Sequence, residues 1–277
     1  MSWQAIARKD FMDASRSYLL WGLTAVFVLI VSVITAGLGY IAPNLTSTGV
    51  INPLHILFQY IIPLIAILIS FGAVVDERTS GSLKVLLSLP HSRDDVIVGK
   101  MLGRSGAFVL PLVVGMALPA LGMLAAGVTF EPLKYVGYIL LASVFGLTYV
   151  ALATGLSAAL SSRFRVLLSL LGFYFVFNIL WFIVNTASVV LILALSREWP
   201  AWMPLSVQET RRVFQLLSPT GDFQLLKQAL FNDALYATQV PEGVASLGTQ
   251  VTATLMLLAW IALPLAFGIV RFRAADL

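Results

Sequence analysis

The chain has 277 residues, of which 59% are hydrophobic and only 11% are charged, whereas soluble domains carry about 25% charged residues. This composition excludes an ordinary soluble domain and predicts an integral membrane protein. The formal net charge of +4 comes from basic residues beside apolar tracts and is no sign of nucleic-acid binding, and the absence of cysteine excludes disulfides and thiolate sites.

The N-terminal segment predicts an amphipathic helix. Its apolar residues recur at three- or four-residue spacing: Trp3, Ile6, Ala7, Phe11, Ala14 and Tyr18. Such a helix lies in the membrane interface before the first span. It is either an elbow that packs on neighbouring spans or a binder of anionic lipid, and Asp10 and Asp13 favour the elbow.

The long uncharged tracts predict six transmembrane helices, because a spanning helix needs about 20 apolar residues. The first tract is long enough for two spans, separated by a predicted turn that is marked by Pro43, Asn44, Gly49, Asn52 and Pro53. The spans are expected at about residues 18–42, 56–75, 101–128, 135–160, 166–195 and 248–270. We predict an all-α polytopic membrane protein in which residues 1–277 form a single transmembrane domain. The first apolar run exceeds the roughly 7–15 residues of a signal peptide, so we expect it to remain as an anchor.

The distribution of Lys and Arg predicts the orientation. Both termini and the loop of residues 76–100 are rich in basic residues, whereas the short loops opposite carry only Lys134. Because basic loops stay in the cytoplasm, we expect both termini and this loop to be cytoplasmic. The outer segment, residues 197–247, is expected to form short surface helices, one from a capping box at Ser206 to about Leu217 and one over Phe223 to Leu230.

Two spans carry side chains with a predicted packing role. Ala151, Gly155 and Ala159 form a ridge of small residues that lets another helix approach closely. Asn178 and Asn185 are seven residues apart in the fifth span, with Trp181 between them, and so share a face. A buried amide in lipid needs a partner. This face either holds helices together or lines a pathway.

No catalytic motif is present. His55 and His91 are predicted on opposite sides of the membrane, and Gly99-Lys100 lacks the remaining residues of a phosphate-binding loop. The spans also lack the acidic or basic residues that ion-coupled carriers place at mid-membrane. The chain is therefore expected to be neither an enzyme nor a metal protein. If it moves a substrate, the energy comes from a partner.

The loop of residues 76–100 carries a distinctive set of residues: Glu77, Arg78, Gly81, Ser82, Leu83, Leu86, Leu87, Leu89, Pro90, Ser92, Arg93, Gly99 and Lys100. With this set it resembles the cytoplasmic segment that follows the second span in permeases of type-2 ABC transporters. A weaker likeness covers most of the chain. Within this family, the chain most resembles the prokaryotic branch that includes the permease of the nitrous-oxide-reductase maturation cluster.

This resemblance implies a coupling helix that docks into a separate ATPase subunit. It further implies two ATPase copies, ATP and Mg bound in the ATPase with no cofactor bound by this chain, a homodimer of this chain in a prokaryotic cell membrane, and export. It also places Asn178, Trp181 and Asn185 near the dimer contact or pathway. A channel or facilitator working alone, and a membrane anchor for a cytoplasmic partner, are the alternatives.

The residues of the loop predict its local structure. We expect Thr79 or Ser80 to begin a short helix with Leu83, Leu86 and Leu87 on one face, and Pro90 to end it. Ser92 and Asp95 resemble a capping box that begins the next helix. The leucine face either docks the ATPase or is buried against the spans, and the family resemblance favours docking.

Overall fold

A computed structural model describes residues 2–41, 45–88, 92–125, 127–181, 207–231 and 246–275, together with five single positions between 183 and 194. Within these ranges the chain is helical and forms no strand, apart from a single bridge between Thr46 and Thr129. A π-helical turn over Phe175–Leu180 continues the eighth helix. The α-helices, numbered in chain order, are α1 Ser2–Ser15, α2 Tyr18–Ile41, α3 Ser47–Ser70, α4 Val75–Ser80, α5 Ser82–Ser88, α6 Arg93–Ala125, α7 Pro132–Ala159, α8 Arg163–Tyr174, α9 Val207–Leu216, α10 Pro219–Leu230 and α11 Leu247–Arg273.

Six stretches of the described chain are long and apolar enough to cross a membrane, which confirms the predicted polytopic helical fold. They are Leu20–Ile41, Ser47–Ser80, Arg93–Ala125, Pro132–Ala159, Arg163–Leu180 and Leu247–Arg273. The helices α1, α4 and α5 lie at one end, which we call the basic end, with the start of α6 and the close of α11. The helices α9 and α10 connect the fifth and sixth spans on the other side.

The second span begins earlier than expected. Gly49, Asn52 and Pro53 were predicted to lie in a turn but lie inside α3. The helix begins at Ser47 because the Thr46 side chain accepts a hydrogen bond from the Gly49 amide at 3.2 Å. His55 consequently lies within this helix, buried, with Nδ1 3.1 Å from the Tyr138 hydroxyl.

The helices α7 and α11 pack closely enough to require glycine. A Cβ atom added to Gly155 on α7 would lie 2.2 Å from the Pro264 carbonyl oxygen of α11, and one added to Gly268 would lie 2.6 Å from Gly155. The small residue at position 155 therefore allows the close approach that the sequence predicted.

The elbow helix α1 lies against the first half of α6 in the same way. A Cβ added to Gly99 would lie 2.8 Å from the Trp3 carbonyl oxygen, and one added to Gly103 would lie 2.8 Å from that of Ala7. The elbow is therefore packed on a span, as the acidic residues on this helix suggested. Ile6 is 5% exposed and Asp10 is 6% exposed, which confirms that this face of α1 is buried in protein.

Candidate functional site

A hydroxyl group from a distant span fixes the start of α4. The Ser157 Oγ of α7 accepts hydrogen bonds from the backbone amides of Val74 and Val75, both at 3.0 Å. All three residues are buried. Since the first amides of a helix have no partner within it, Ser157 supplies the cap that the local sequence lacks. Nothing in the sequence signalled this role, because the two segments are 82 residues apart.

The junction between α4 and α5 is a glycine turn. Gly81 has φ 79°, in the left-handed region that favours glycine, and it ends α4. The expectation that Thr79 or Ser80 begins the short helix is wrong. Both lie in the last turn of α4, where their hydroxyls donate to the Asp76 and Glu77 carbonyl oxygens.

The buried side of α5 is the side that carries Leu83. This leucine is 1% exposed and belongs to a cluster with Ile6, Val74, Val96, Ile97, Ala158 and Phe272. Leu86 packs against the same cluster and is partly buried. The interpretation of Leu83 as a docking contact is therefore corrected, because its side chain lies against the spans.

The outward side of α5 carries Val85, which is 69% exposed, and it is flanked by exposed Ser82, Lys84 and Ser88. On an α-helix, Val85 lies on a different side from Leu83 and Leu86. The Leu87 side chain, and all of Leu89 and Pro90, lie outside the described residues, so the predicted end of the helix at Pro90 stays a prediction.

A buried charge cluster joins the elbow, the α4 helix and the third span. The Lys100 ammonium is 2% exposed and lies 2.8 Å from the Glu77 carboxylate and 3.5 Å from that of Asp10. Arg104 Nε lies 2.7 Å from Asp10, and its Nη1 donates to the Ile69 carbonyl oxygen at 2.7 Å. Each carboxylate is thus matched by a cation in a site where an unpaired charge is costly.

The start of α6 also holds the end of the last span. Arg93 Nη1 donates to the carbonyl oxygens of Phe272, Arg273 and Ala275 at 2.7 to 3.0 Å. Arg273 in turn forms a bidentate ion pair with Asp94. Terminal carbonyls of a helix lack partners within it, and Arg93 satisfies those of α11.

The predicted capping box at the start of α6 is confirmed. The Ser92 Oγ accepts from the Asp95 amide at 3.1 Å, and the Asp95 carboxylate accepts from the Ser92 amide at 3.1 Å. Aspartate at this position serves as glutamate usually does. The loop therefore enters α6 in a fixed direction, which sets where Arg93 and Asp94 lie.

At the opposite end, Asn178 is 2% exposed and its amide is fully used within the chain. It donates to the Tyr149 hydroxyl at 2.9 Å and accepts from the Thr220 hydroxyl at 2.8 Å. This geometry favours helix packing over a pathway for Asn178. Trp181 donates to the Phe214 carbonyl oxygen at 2.8 Å, while Asn185 lies outside the described residues.

Asn178 lies in the π-helical turn, which the sequence did not predict. The expected common face of Asn178 and Asn185 assumed a regular α-helix. Because Asn185 lies outside the described residues, this expectation stays a prediction.

The helix α10 is attached to the second span by side chains. Lys227 donates to the Asn52 side-chain oxygen at 2.7 Å, and Gln224 donates to that of Gln59 at 2.8 Å. Burial lowers the pKa of Lys227. Asp222 is fully buried, its carboxyl oxygens have no hydrogen-bond partner within the described chain, and burial raises its pKa to about 9.

The sequence is similar to membrane-transport proteins over nearly its full length. Residues 4–277 match the profile of a family described as "ABC-2 family transporter protein". A Pseudomonas aeruginosa protein named "Probable ABC transporter permease protein NosY" is 29% identical over 278 aligned residues, covering 97% of both chains. A protein of the same name from Stutzerimonas stutzeri is 28% identical, covering 97% of this chain and 96% of that protein.

Proposed function

The chain belongs to the ABC-2 transporter family and is a membrane permease of an ABC transporter, and we propose that a separate ATPase subunit drives it through α4 and α5. In this proposal the basic end faces the cytoplasm of a prokaryotic cell and both termini lie there. The basic residues around this end support that orientation. The permease itself needs no catalytic group, since ATP and Mg bind in the ATPase.

The observation that carries the proposal is the set of contacts that α4 and α5 make. Ser157 joins the start of α4 to α7, and Lys100 joins Glu77 of α4 to α6. Leu83 of α5 packs in a cluster that includes α1, α6, α7 and α11. A force applied to the short helices therefore reaches the elbow and three of the spans through buried contacts.

Buried contacts of this kind transmit displacement because a packed interior is hardly compressible. When the ATPases close on ATP, a displacement of α5 would move Leu83 and the α4 cap together, and the spans attached to them would tilt. Glu77, Arg78, Gly81, Leu83 and Arg93 keep the loop in shape in this scheme. The exposed Val85, with the exposed Ser82 and Ser88 near it, would touch the ATPase.

We further propose that two copies of the chain assemble with two ATPases and that the complex exports its substrate. The family resemblance of the loop implies this arrangement. The first span supports it, since a line of its apolar side chains is left uncovered by the described part of one chain. Val26 is 54% exposed, Leu29 63% and Val33 61%. A second copy or lipid would cover this face.

The experiment that tests the proposal is reconstitution. The chain is purified with a candidate ABC-type ATPase, and ATP hydrolysis by the ATPase is measured in liposomes with and without the permease. A complex that co-purifies and a hydrolysis rate that depends on the permease are expected. Substrate flux from the permease alone, without nucleotide, would instead identify a facilitator.

A further inference from the structure

A cavity of about 530 Å³ opens at the basic end, between α5 and the end of α11. The described residues that line it include three cations, Arg78, Lys84 and Arg271, and no carboxylate. None of the three forms an ion pair with another described residue. The cavity thus concentrates positive charge that no ion pair with a described residue matches.

The ends of two spans line the cavity, which would place it at the depth of the lipid headgroups. Ala159 is the last residue of the fourth span and Arg271 lies in the last turn of the sixth, and both line it. A cavity lined by the ends of two spans is at the boundary of the hydrocarbon layer. Its contents would therefore meet the polar part of the bilayer.

Apolar side chains near the ends of the fifth and sixth spans are exposed. Phe267 and Val270 precede Arg271 on the sixth span and are 51% and 62% exposed. Phe164 and Leu168 follow the lining residue Ser161 on the fifth span and are 70% and 59% exposed. Acyl chains can cover these side chains while a polar headgroup occupies the cavity.

We propose that this cavity binds the phosphate-bearing headgroup of an anionic phospholipid, with Arg78, Lys84 and Arg271 as the recognising cations. Basic pockets between the ends of transmembrane helices bind such headgroups. Arginine and lysine both suit phosphate oxygens, arginine by paired hydrogen bonds and lysine as a point charge. The Arg78 guanidinium also lies 5.9 Å from the centroid of the Phe272 ring, which holds it at the wall of the cavity.

The test is native mass spectrometry of the full chain in detergent, titrated with phosphatidylglycerol, phosphatidylcholine or inorganic phosphate. Retention of phosphatidylglycerol over phosphatidylcholine is expected. Each cation near an anionic lipid surface contributes about fivefold in affinity, so the double variant Lys84→Gln, Arg271→Gln should lose about 25-fold. The charge-conserving pair Lys84→Arg, Arg271→Lys should keep most of the binding, which distinguishes lost recognition from misfolding.

The matched control changes two exposed cations elsewhere, Arg8→Gln with Lys9→Gln, and should bind lipid as the unaltered chain does. Equal loss in the control and in the cavity variant would overturn the proposal, as would unchanged binding in the cavity variant. Competition by millimolar inorganic phosphate, with no preference for lipid, would identify a soluble anion instead. If the cavity variant bound lipid normally but no longer bound the ATPase, the cavity would instead recognise an acidic protein surface. Because the lipid test uses the chain alone, its outcome is independent of the proposed coupling to an ATPase.

Discussion

The Lys100 ammonium lies 2.8 Å from the Glu77 carboxylate, and this ion pair joins the third span to the short helix α4. The same ammonium lies 3.5 Å from Asp10 of the elbow. One buried lysine thus connects three elements that are far apart in sequence. In the proposed mechanism, this connection makes the elbow and the third span move together with the loop that contacts the ATPase.

Replacing Lys100 with Met is expected to destabilise the protein by about 3 kcal/mol, because removing one partner of a buried ion pair leaves the other charge unmatched. The midpoint of thermal unfolding in detergent measures this. Lys9→Met is the matched control, since Lys9 is an exposed lysine of the elbow. Equal midpoints for the two variants would show that the ion pair contributes nothing.

Replacing Ser157 with Ala should expose the start of α4. The amides of Val74 and Val75 lose their shared acceptor, and a lost helix cap costs about 1 kcal/mol. Hydrogen exchange at these two amides is expected to accelerate. In the control Ser143→Ala, the lost hydroxyl donates to the Ile139 carbonyl oxygen of its own helix, so exchange in α4 should not change. Unchanged exchange in both variants would show that Ser157 does not stabilise the start of α4.

Two glycines of α6 should respond to alanine in opposite ways. At Gly103 an added Cβ would lie 2.8 Å from the Ala7 carbonyl oxygen, so Gly103→Ala should push the elbow away and destabilise the protein by about 1–3 kcal/mol. At Gly122 nothing lies within 4 Å of the added atom, so Gly122→Ala should stabilise the helix by up to about 1 kcal/mol. The thermal unfolding midpoints of the two variants, measured side by side, test this prediction. A higher midpoint for Gly103→Ala than for the unaltered chain would contradict the close packing of α1 on α6.

The buried carboxyl of Asp222 should make stability depend on pH. Its pKa is about 9 in the folded protein against 3.8 as the ordinary value. Between these values the folded state holds a proton that the unfolded state has released. The free energy of unfolding should therefore fall as pH rises, by up to about 1.4 kcal/mol per pH unit.

Asp222→Asn removes this titration while keeping a similar shape. Unfolding midpoints measured from pH 5 to pH 8 should fall for the unaltered chain and stay nearly level for the variant. Asp13→Asn is the control, because Asp13 is an exposed aspartate of the elbow. Parallel pH profiles for the unaltered chain and Asp222→Asn would show that burial does not perturb this carboxyl group.

Local and periodic signals predicted much of this structure. The apolar tracts indicated the six spans, the small residue Gly155 marked a close helix contact, and the Ser92 to Asp95 pattern marked the start of α6. Each of these signals depends either on residues that are close together in the chain or on the hydrophobicity of a single segment. Such signals remain readable without knowledge of the tertiary structure.

The features that were predicted wrongly or missed depend on partners that are distant in the chain. Asn52 suggested a turn, yet Lys227 satisfies its side chain inside α3. Leu83 suggested a docking face, but its burial depends on Phe272, 189 positions further along the chain. The cap from Ser157 and the π-helical turn around Asn178 likewise leave no local mark in the sequence.

The central claim is that the ATPase drives the permease through α5. The most direct test measures the affinity of the reconstituted Val85→Glu permease for its ATPase. Val85 is the most exposed apolar residue among the described side chains of α5, so a charge there should weaken association at least about tenfold, as for a residue at the centre of an interface. The control Leu133→Glu places the same charge on a residue that is 85% exposed at the start of α7, on the opposite side. Loss of binding for Val85→Glu alone is predicted, and equal binding by both folded variants would contradict the proposed coupling through α5.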